Sequence, residues 1–251
     1  MLIAALDTST LTLSCALCEV GGGQVRLLAE RTEHAPARPG PQGPRGGHGG
    51  RLPGVLQDVL AASERRLTDV DGFAVGLGPG SFTGLRIGLA TWKGLAYATR
   101  RPIAGCSGLG AMAVAAATPG EDLVLVPLLD ARKGEVYAGF YRVEGGVPRL
   151  LAPEAALAPS VLVSRLAELE AAGNRVAAFG EGLAAYGEAL SSVPSLRTEV
   201  RAPPAPAVAS LCARELDGAP YDPPRLFSLE PHYVRPSEAE LKFPRGLGPP
   251  T

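Results

Sequence analysis

Two aspartates that end apolar segments are the side chains best placed for chemistry in this sequence. Asp7 ends the run Leu2–Asp7, and Asp130 ends a similar run 123 residues later (130 − 7). Such carboxylates can hold a magnesium ion through water, or they can cap the following turn by accepting backbone N–H groups. A phosphate-binding hairpin would also need glycine there, and the three residues after each aspartate include none. We favour the capping role; the alternative is a vestigial nucleotide or phosphate site formed by Asp7, Thr8, Ser9, Asp130, Gly180 and Gly182.

The histidines and serines predict neither a metal site nor a hydrolase. His34, His48 and His232 include no pair at i, i+4 spacing, the spacing by which one helix offers two imidazoles to zinc. His34 and His48 lie in or beside a loop-like stretch, where a solvated histidine is the default. Ser81 lacks the strand-elbow pattern of a hydrolase nucleophile. The expectation is therefore no catalytic residue and no metal.

The cysteines are expected to be small core-filling thiols. Cys15, Cys18, Cys106 and Cys212 have neither the spacing of a disulfide framework nor that of a zinc cage. The CxxC spacing of the first two falls in a predicted strand, not at a helix N-terminus.

The composition is that of an ordinary globular protein. The chain has 251 residues, 46% hydrophobic and 20% charged, with a net charge of −1. A chain that grips a nucleic-acid backbone alone usually carries a strong basic excess, so any role with RNA is expected to be indirect. The sequence shows neither a signal peptide, with its basic segment before an apolar one, nor an apolar run of about 18 residues. We therefore expect a cytoplasmic protein without a membrane span.

An internal repeat predicts the architecture. Residues 2–29 align with 125–152 without a gap, and ten of the 28 pairs are identical. Each copy predicts an apolar strand ending in aspartate, a second strand, a Gly-Gly turn and a third strand. Apolar periodicity then predicts further helices and strands, with helices at 52–66, 83–99, 109–117, 160–172, 182–190 and 206–216 and strands at 73–77, 103–106 and 175–179.

Two β-β-β-α-β-α units are the pattern of the duplicated ribonuclease H-like fold of the actin-like ATPase superfamily, an α/β class. We expect an N-terminal lobe at 1–118 and a C-terminal lobe at 119–251. Ten of the fifteen residues in 36–50 are Gly or Pro, so this stretch is expected to be a flexible loop. An alternative is a basic RNA-touching loop that uses Arg38, Arg45 and Arg51. The tail from Ala239 is expected to fray.

A glycine-rich string, Gly78-Pro-Gly-Ser-Phe-Thr-Gly-Leu-Arg-Ile-Gly88, follows an apolar strand and opens a helix. Ser81 or Thr83 can cap that helix. Gly84, Gly88 and Thr91 share one helix face, and such small residues let another helix approach closely. The sequence leaves open whether that contact is internal or with a partner. In the second case Gly88→Leu would block association and leave the fold intact.

The longer string GPGSFTGLRIGLATWKGLA closely resembles the signature of the TsaB (YeaZ) family. Weaker resemblances are Ala5–Thr10, Asp130–Tyr137, Gly180–Gly182 and Pro231–Arg235. The resemblance implies a non-catalytic subunit, needed for threonylcarbamoylation of the adenosine next to the tRNA anticodon, that docks a catalytic TsaD-type subunit. It also implies a TsaE-type ATPase acting on the assembly, a homodimer when the chain is alone, and tRNA contacted through the complex. No cofactor is expected, with ATP and magnesium entering only in the complex.

By carry-over from the family, the docking surface would lie on two helices and include Leu52, Val55, Leu56, Val59, Gly84, Arg86, Ile87, Gly88, Thr91 and Leu95. The family usually enters the first of these helices through a compact His-Ser-Glu-like segment, where this chain has His48-Gly-Gly-Arg51. Two alternatives stay open: an independent ATP-dependent or metallopeptidase-like enzyme of the actin-like fold, and a homodimeric scaffold for another client.

Overall fold

The structure is a computed structural model that describes residues 1–22, 24–34 and 47–235. Most of the Gly/Pro-rich stretch 36–50 and the whole tail from Ala239 lie outside the described residues, so the predictions about both stay predictions there. Residues 48–50 belong to the first helix. This helix therefore begins before the apolar stripe that starts at Leu52, and the prediction of a loop up to residue 50 is wrong for these three residues.

The first half of the chain forms a five-stranded mixed sheet in the order β3-β2-β1-β4-β5. The first three strands are antiparallel, and β4 and β5 run parallel to β1. Every residue of β1 is buried. Asp7, the last residue of this central strand, is therefore buried at the end of the sheet. The strands are β1 Leu2–Asp7, β2 Thr12–Gly21, β3 Gln24–His34, β4 Gly72–Gly76 and β5 Ile103–Cys106.

The second half repeats the plan with four strands in the order β8-β7-β6-β9. The bounds of β7 and β8 are those of β2 and β3 moved by the repeat offset of 123 residues, which confirms the duplication. In the described part of the chain, the place of a fifth strand is taken by a single parallel bridge between Ala178 and Ser195. The strands are β6 Val124–Arg132, β7 Glu135–Glu144, β8 Val147–Leu157 and β9 Val176–Phe179.

The predicted helices are present, with three differences. The helix expected at 52–66 spans His48–Ala62 instead. The helix expected at 182–190 ends at Ala185 and continues as turns, and a short helix that was not predicted lies near the C-terminus. The helices are α1 His48–Ala62, α2 Phe82–Thr99, α3 Gly108–Ala116, α4 Pro159–Ala171, α5 Glu181–Ala185, α6 Ala205–Leu216 and α7 Pro223–Ser228. Across the described ranges, none of them combines the length and apolarity needed to cross a bilayer.

The two lobes exchange helices. α1 and α2 cover one face of the first sheet, and α6, from the C-terminal half, covers the other. α3, from the N-terminal half, packs on β6, β7 and β8 and also against α6. The sequence pattern assigns residues 119–251 to the second lobe, and the position of α6 corrects that assignment.

The exchange has a physical basis in small side chains. The face of the first sheet that receives α6 carries Ala5, Ala16, Ala74 and Ala104, and α6 meets it with its own alanines. Because short side chains on both surfaces let the helix axis approach the sheet closely, the two surfaces bury each other well. The alternative face, toward α1 and α2, is filled instead by large side chains such as Trp92.

Candidate functional site

The turn after β1 fixes Asp7 inside the protein. Its Oδ1 accepts hydrogen bonds from the Ser9 backbone N–H and hydroxyl, at 2.8 and 2.6 Å. Its Oδ2 is buried without a hydrogen-bond partner among the described residues. Burial raises the pKa of Asp7 from 3.8 to about 6, although the Ser9 hydrogen bonds oppose the rise. This carboxyl group caps its own turn and points into the interior.

Asp130 occupies the corresponding position in the second repeat, near the end of β6. Its Oδ1 accepts from the Arg132 backbone N–H at 2.8 Å and from the Tyr186 hydroxyl at 3.1 Å. Its Oδ2 lies 3.1 Å from the Arg132 guanidinium. The two aspartates therefore share the capping geometry, but only Asp130 reaches the space between the lobes.

Gly180 and Gly182 have a structural reason to be glycine. Gly180 has a φ of 107° and closes against the Leu128 carbonyl of β6, where a Cβ atom would overlap that oxygen. Gly182 also lies against Leu128, where a Cβ atom would make a tight contact at 3.0 Å. Both residues are buried, so they serve the close approach of the β9–α5 turn to β6.

A cleft with a cavity volume of about 640 Å³ lies between the lobes. Of the six residues of the alternative vestigial site, Ser9 and Asp130 line this cleft, whereas Asp7, Thr8 and the two glycines are buried beneath its surface. Two cations of the cleft, Arg132 and Arg235, are paired with carboxylates. The cleft also holds Glu181, whose pKa is raised by burial and then by the Asp130 charge. The cations of the cleft therefore have carboxylates beside them. A phosphate-binding site would instead offer unpaired cations or backbone N–H groups to the ligand.

The glycine-rich string packs inside its own lobe. Ser81 caps α2 by accepting from the Gly84 backbone N–H at 3.2 Å. The Thr8 hydroxyl donates to the Gly84 carbonyl at 2.8 Å. A Cβ atom at Gly84 or Gly88 would overlap Thr8. The close contact that these glycines allow is therefore internal, and a leucine at Gly88 would overlap Thr8, which argues against the prediction that Gly88→Leu leaves the fold intact.

The four apolar residues of α1 predicted in the docking surface lie in the core instead. Leu52, Val55, Leu56 and Val59 are 1–8% exposed and pack on the first sheet. Their stripe marks the side of the helix that the fold itself buries. The sequence-based assignment of their side chains to a partner surface is corrected accordingly.

The remaining predicted interface residues divide between surface and interior. Arg86 is exposed, stacks 4.0 Å above the Phe82 ring and donates to the Tyr233 hydroxyl at 3.1 Å. Ile87 is half-buried and lines the cleft. The other two are also half-buried: the Thr91 hydroxyl donates to a backbone carbonyl of its own helix, and Leu95 packs against the core.

The solvent face of α1 and α2 carries glycines that the sequence prediction did not single out. Gly50, Gly54 and Gly94 are exposed helical positions, and a Cβ atom at each would meet nothing within 4 Å in the described structure. Beside them on α2 and α7, the aromatic rings of Tyr97 and Phe227 are 58% and 64% exposed. The sequence feature that could have identified these glycines is their position inside a predicted helix but outside its apolar stripe.

The histidines differ in their surroundings. His48 is buried, so its prediction as a solvated residue is wrong: its Nε2 lies 2.6 Å from the Thr10 carbonyl and its Nδ1 lies 3.2 Å from Arg51. Burial lowers the pKa of His48.

Within residues 1–22, 24–34 and 47–235, no three His, Cys, Asp or Glu side chains stand together as a metal site. All four cysteines are free thiols.

Comparison with known proteins identifies the family. A family model described as "TsaD: tRNA N6-adenosine threonylcarbamoyltransferase" matches residues 41–213. The chain is 36% identical to the tRNA threonylcarbamoyladenosine biosynthesis protein TsaB of Escherichia coli, over 67% of this chain and 68% of that one. It is 27% identical to the TsaB protein of Bacillus subtilis, over 97% and 98% of the two chains.

A solved structure supports the same assignment. A Pseudomonas aeruginosa protein described as similar to the peptidase YeaZ superposes with a TM-score of 0.73 at 30% identity, covering 93% of this chain and 99% of that one. The fold is the predicted duplicated ribonuclease H-like fold. The chain belongs to the TsaB (YeaZ) family.

Proposed function

We propose that this chain is a non-catalytic subunit that supports threonylcarbamoylation of the adenosine next to the tRNA anticodon by docking a TsaD-type catalytic subunit. Family membership gives the pathway, because the relatives are named as threonylcarbamoyladenosine biosynthesis proteins. The docking role rests on one structural observation, the unpacked glycines on the outer face of α1 and α2.

A helix-interior glycine costs about 1 kcal/mol relative to alanine. Close packing against Thr8 offsets this cost at Gly84 and Gly88, whereas Gly54 and Gly94 have no such contact within the described residues. Glycine at an exposed helical position lets the backbone of another chain approach closely. We therefore place the partner's contact over the outer face of α1 and α2, centred on Gly54, Gly94 and Ala90, an exposed residue one turn before Gly94.

The exposed aromatic rings beside these glycines support the same surface. Tyr97 and Phe227 lie with their ring centroids 6.2 Å apart, and aromatic side chains are enriched at protein interfaces. Small residues next to large rings give a surface of pockets and ridges. A second copy of the chain would use the same surface when no catalytic partner is present.

A non-catalytic role is supported by the two aspartate turns. Asp7 is buried and capped by its own turn, and Asp130 is held by Arg132 and Tyr186. Neither carboxylate is presented to the cleft together with glycine-rich amides that could wrap a phosphate. In this proposal ATP, magnesium and a TsaE-type ATPase act in the assembly, and the assembly contacts tRNA and operates in the cytoplasm.

Light scattering after size-exclusion chromatography tests the docking. The chain would be measured alone and with the TsaD-type protein of the same organism, as wild type and as Gly94→Leu. We expect a homodimer that converts to a heteromeric complex, and at least a tenfold weaker complex for the variant, because a bulky side chain separates the two surfaces. Ala167→Leu, at an exposed position of α4, is the matched control and should associate normally.

A wild-type chain that ignores the TsaD-type protein would contradict the proposal. A Gly94→Leu chain that binds like wild type would contradict the placement of the surface. The independent-enzyme alternative predicts instead that the chain alone turns over ATP with magnesium.

A further inference from the structure

A second cavity is lined by His232 of the C-terminal segment, whereas Tyr233 and Arg235 of the same segment line the cleft. The volume of this second cavity is about 820 Å³, within the range of small-molecule sites. The walls are mainly apolar and come from both lobes and from α6, including Leu77, Pro148, Leu150 and Leu211. Cavities of this kind bind ligands through an apolar body and a few polar groups, so the polar groups decide the ligand.

The principal polar group is the carboxylate of Glu154 on β8, whose side chain is only 3% exposed. Its Oε1 accepts hydrogen bonds from the hydroxyls of Ser107 and Tyr141. Its Oε2 is buried and has no hydrogen bond within the described chain. A buried carboxylate with one bare oxygen is costly unless a cation reaches it.

His232 lies within ion-pairing distance of that oxygen. Its Nε2 lies 3.2 Å from Oε2 without the alignment of a hydrogen bond, and half of its side chain is exposed. The backbone of His232 is held separately, since its N–H donates to the Leu77 carbonyl at 2.7 Å. The imidazole can therefore swing toward solvent while the chain stays in place, and this movement would free Oε2 for a ligand.

We propose that this cavity binds a small molecule that carries a primary ammonium group on an apolar body. The ammonium would take Oε2, and the body would lie along the apolar walls. A guanidinium fits less well, because its two parallel N–H groups need both carboxylate oxygens and Oε1 already receives two hydroxyls. The site shares no lining residue with the cleft or with the glycine surface on α1 and α2.

Protein-observed NMR titration with n-hexylammonium, and with 1-hexanol as its neutral counterpart, tests the proposal at pH 7.5. We expect saturable shifts around Ser107, Tyr141 and Glu154 with the ammonium, and at least tenfold weaker binding of the alcohol. Glu154→Gln should weaken ammonium binding at least tenfold, because the amide keeps an acceptor for the two hydroxyls but carries no charge. His232→Ala should tighten binding severalfold, because the competing imidazole is gone.

Glu168→Gln, on the exposed side of α4, is the control and should bind like wild type. Equal affinity of the wild-type chain for the ammonium and the alcohol would show that the cavity binds apolar groups without recognising the charge, and it would overturn the proposal without any variant. Absence of saturable binding by wild type, or unchanged binding by a folded Glu154→Gln chain, would overturn it as well.

Discussion

Thr8 and Gly88 lie so close together that any side chain on Gly88 would overlap the Thr8 hydroxyl. The same hydroxyl donates to the carbonyl of Gly84 one turn earlier in α2. The turn that carries the first aspartate and the glycine-rich helix are therefore one packed unit. In this lobe, Gly84 and Gly88 of the glycine-rich string serve the packing of α2 against the turn after β1.

The first prediction separates buried from exposed glycines of α2. Gly88→Ala should lower the free energy of unfolding by about 1–3 kcal/mol, as overpacking does. Gly94→Ala should raise it by up to about 1 kcal/mol, because alanine is the better helix former. Urea unfolding followed by fluorescence measures both, since the single tryptophan, Trp92, is buried in this lobe and bonded to the Ala4 carbonyl at 3.0 Å. Equal effects of the two substitutions would contradict the packing described.

The second prediction concerns α1. Leu52→Ala should destabilise the fold by about 2–5 kcal/mol, because it leaves a cavity in a packed core. The affinity of the folded fraction for a TsaD-type partner should stay the same, because the side chain is 1% exposed. Calorimetry at matched folded concentration would show this, and a loss of affinity without a loss of stability would restore Leu52 to the partner surface.

The third prediction follows from the raised pKa of Asp7. The folded state holds this proton more tightly than the unfolded state, so ionisation costs stability. The cost grows as the pH rises from 3.8 to about 6 and is constant above. A shift of about two units corresponds to roughly 3 kcal/mol. In Asp7→Asn the fall in unfolding free energy between pH 4 and pH 8 should shrink by up to that amount.

Denaturant titrations at the two pH values measure this difference. Asp130→Asn is the matched control, because it alters the same turn at a side chain that solvent reaches. If wild type and Asp7→Asn showed the same pH dependence, the raised pKa of Asp7 in the folded state would be excluded.

The fourth prediction tests the structural role of Gly180. Gly180→Ala combines an unfavourable φ with overlap on the Leu128 carbonyl, so it should destabilise the chain by about 1–3 kcal/mol. Gly187→Ala, an exposed position where a Cβ atom makes ordinary contact, should be tolerated. Thermal unfolding by circular dichroism measures both variants. Tolerance of Gly180→Ala would return this glycine to the list of ligand-binding candidates.

Much of the fold was predictable because the repeat carries it. Matching segments at a fixed offset, the first of each copy ending in aspartate, predicted the two sheets. The exchange of α3 and α6 was not predictable, because it depends on which alanine-rich surfaces meet in three dimensions. An apolar stripe shows that a helix is buried, but it does not identify the surface that buries it.

The candidate surface was predicted only in outline. The family resemblance placed the partner surface on α1 and α2, where we also propose it, but it took Leu52 and Gly88, which face inward, as contact residues. Spacing cannot tell a glycine that packs on Thr8 from one that faces solvent, as Gly94 does. The turn role of Asp7 could be favoured from sequence because the following residues lack glycine, whereas the bare oxygen of Glu154 had no sequence signal.

The most direct test of the proposed function is the content of threonylcarbamoyladenosine in tRNA after a reconstituted reaction. The reaction would contain unmodified tRNA, ATP, an activated threonylcarbamoyl donor, and the TsaD-type enzyme and TsaE-type ATPase of the same organism, with and without this chain. The nucleoside would be measured by mass spectrometry. We predict that the modification depends on this chain, that Asp7→Asn supports it as well as wild type, and that Gly94→Leu does not. Modification at the same rate without this chain, or loss of activity in a folded and TsaD-bound Asp7→Asn chain, would contradict a non-catalytic docking subunit.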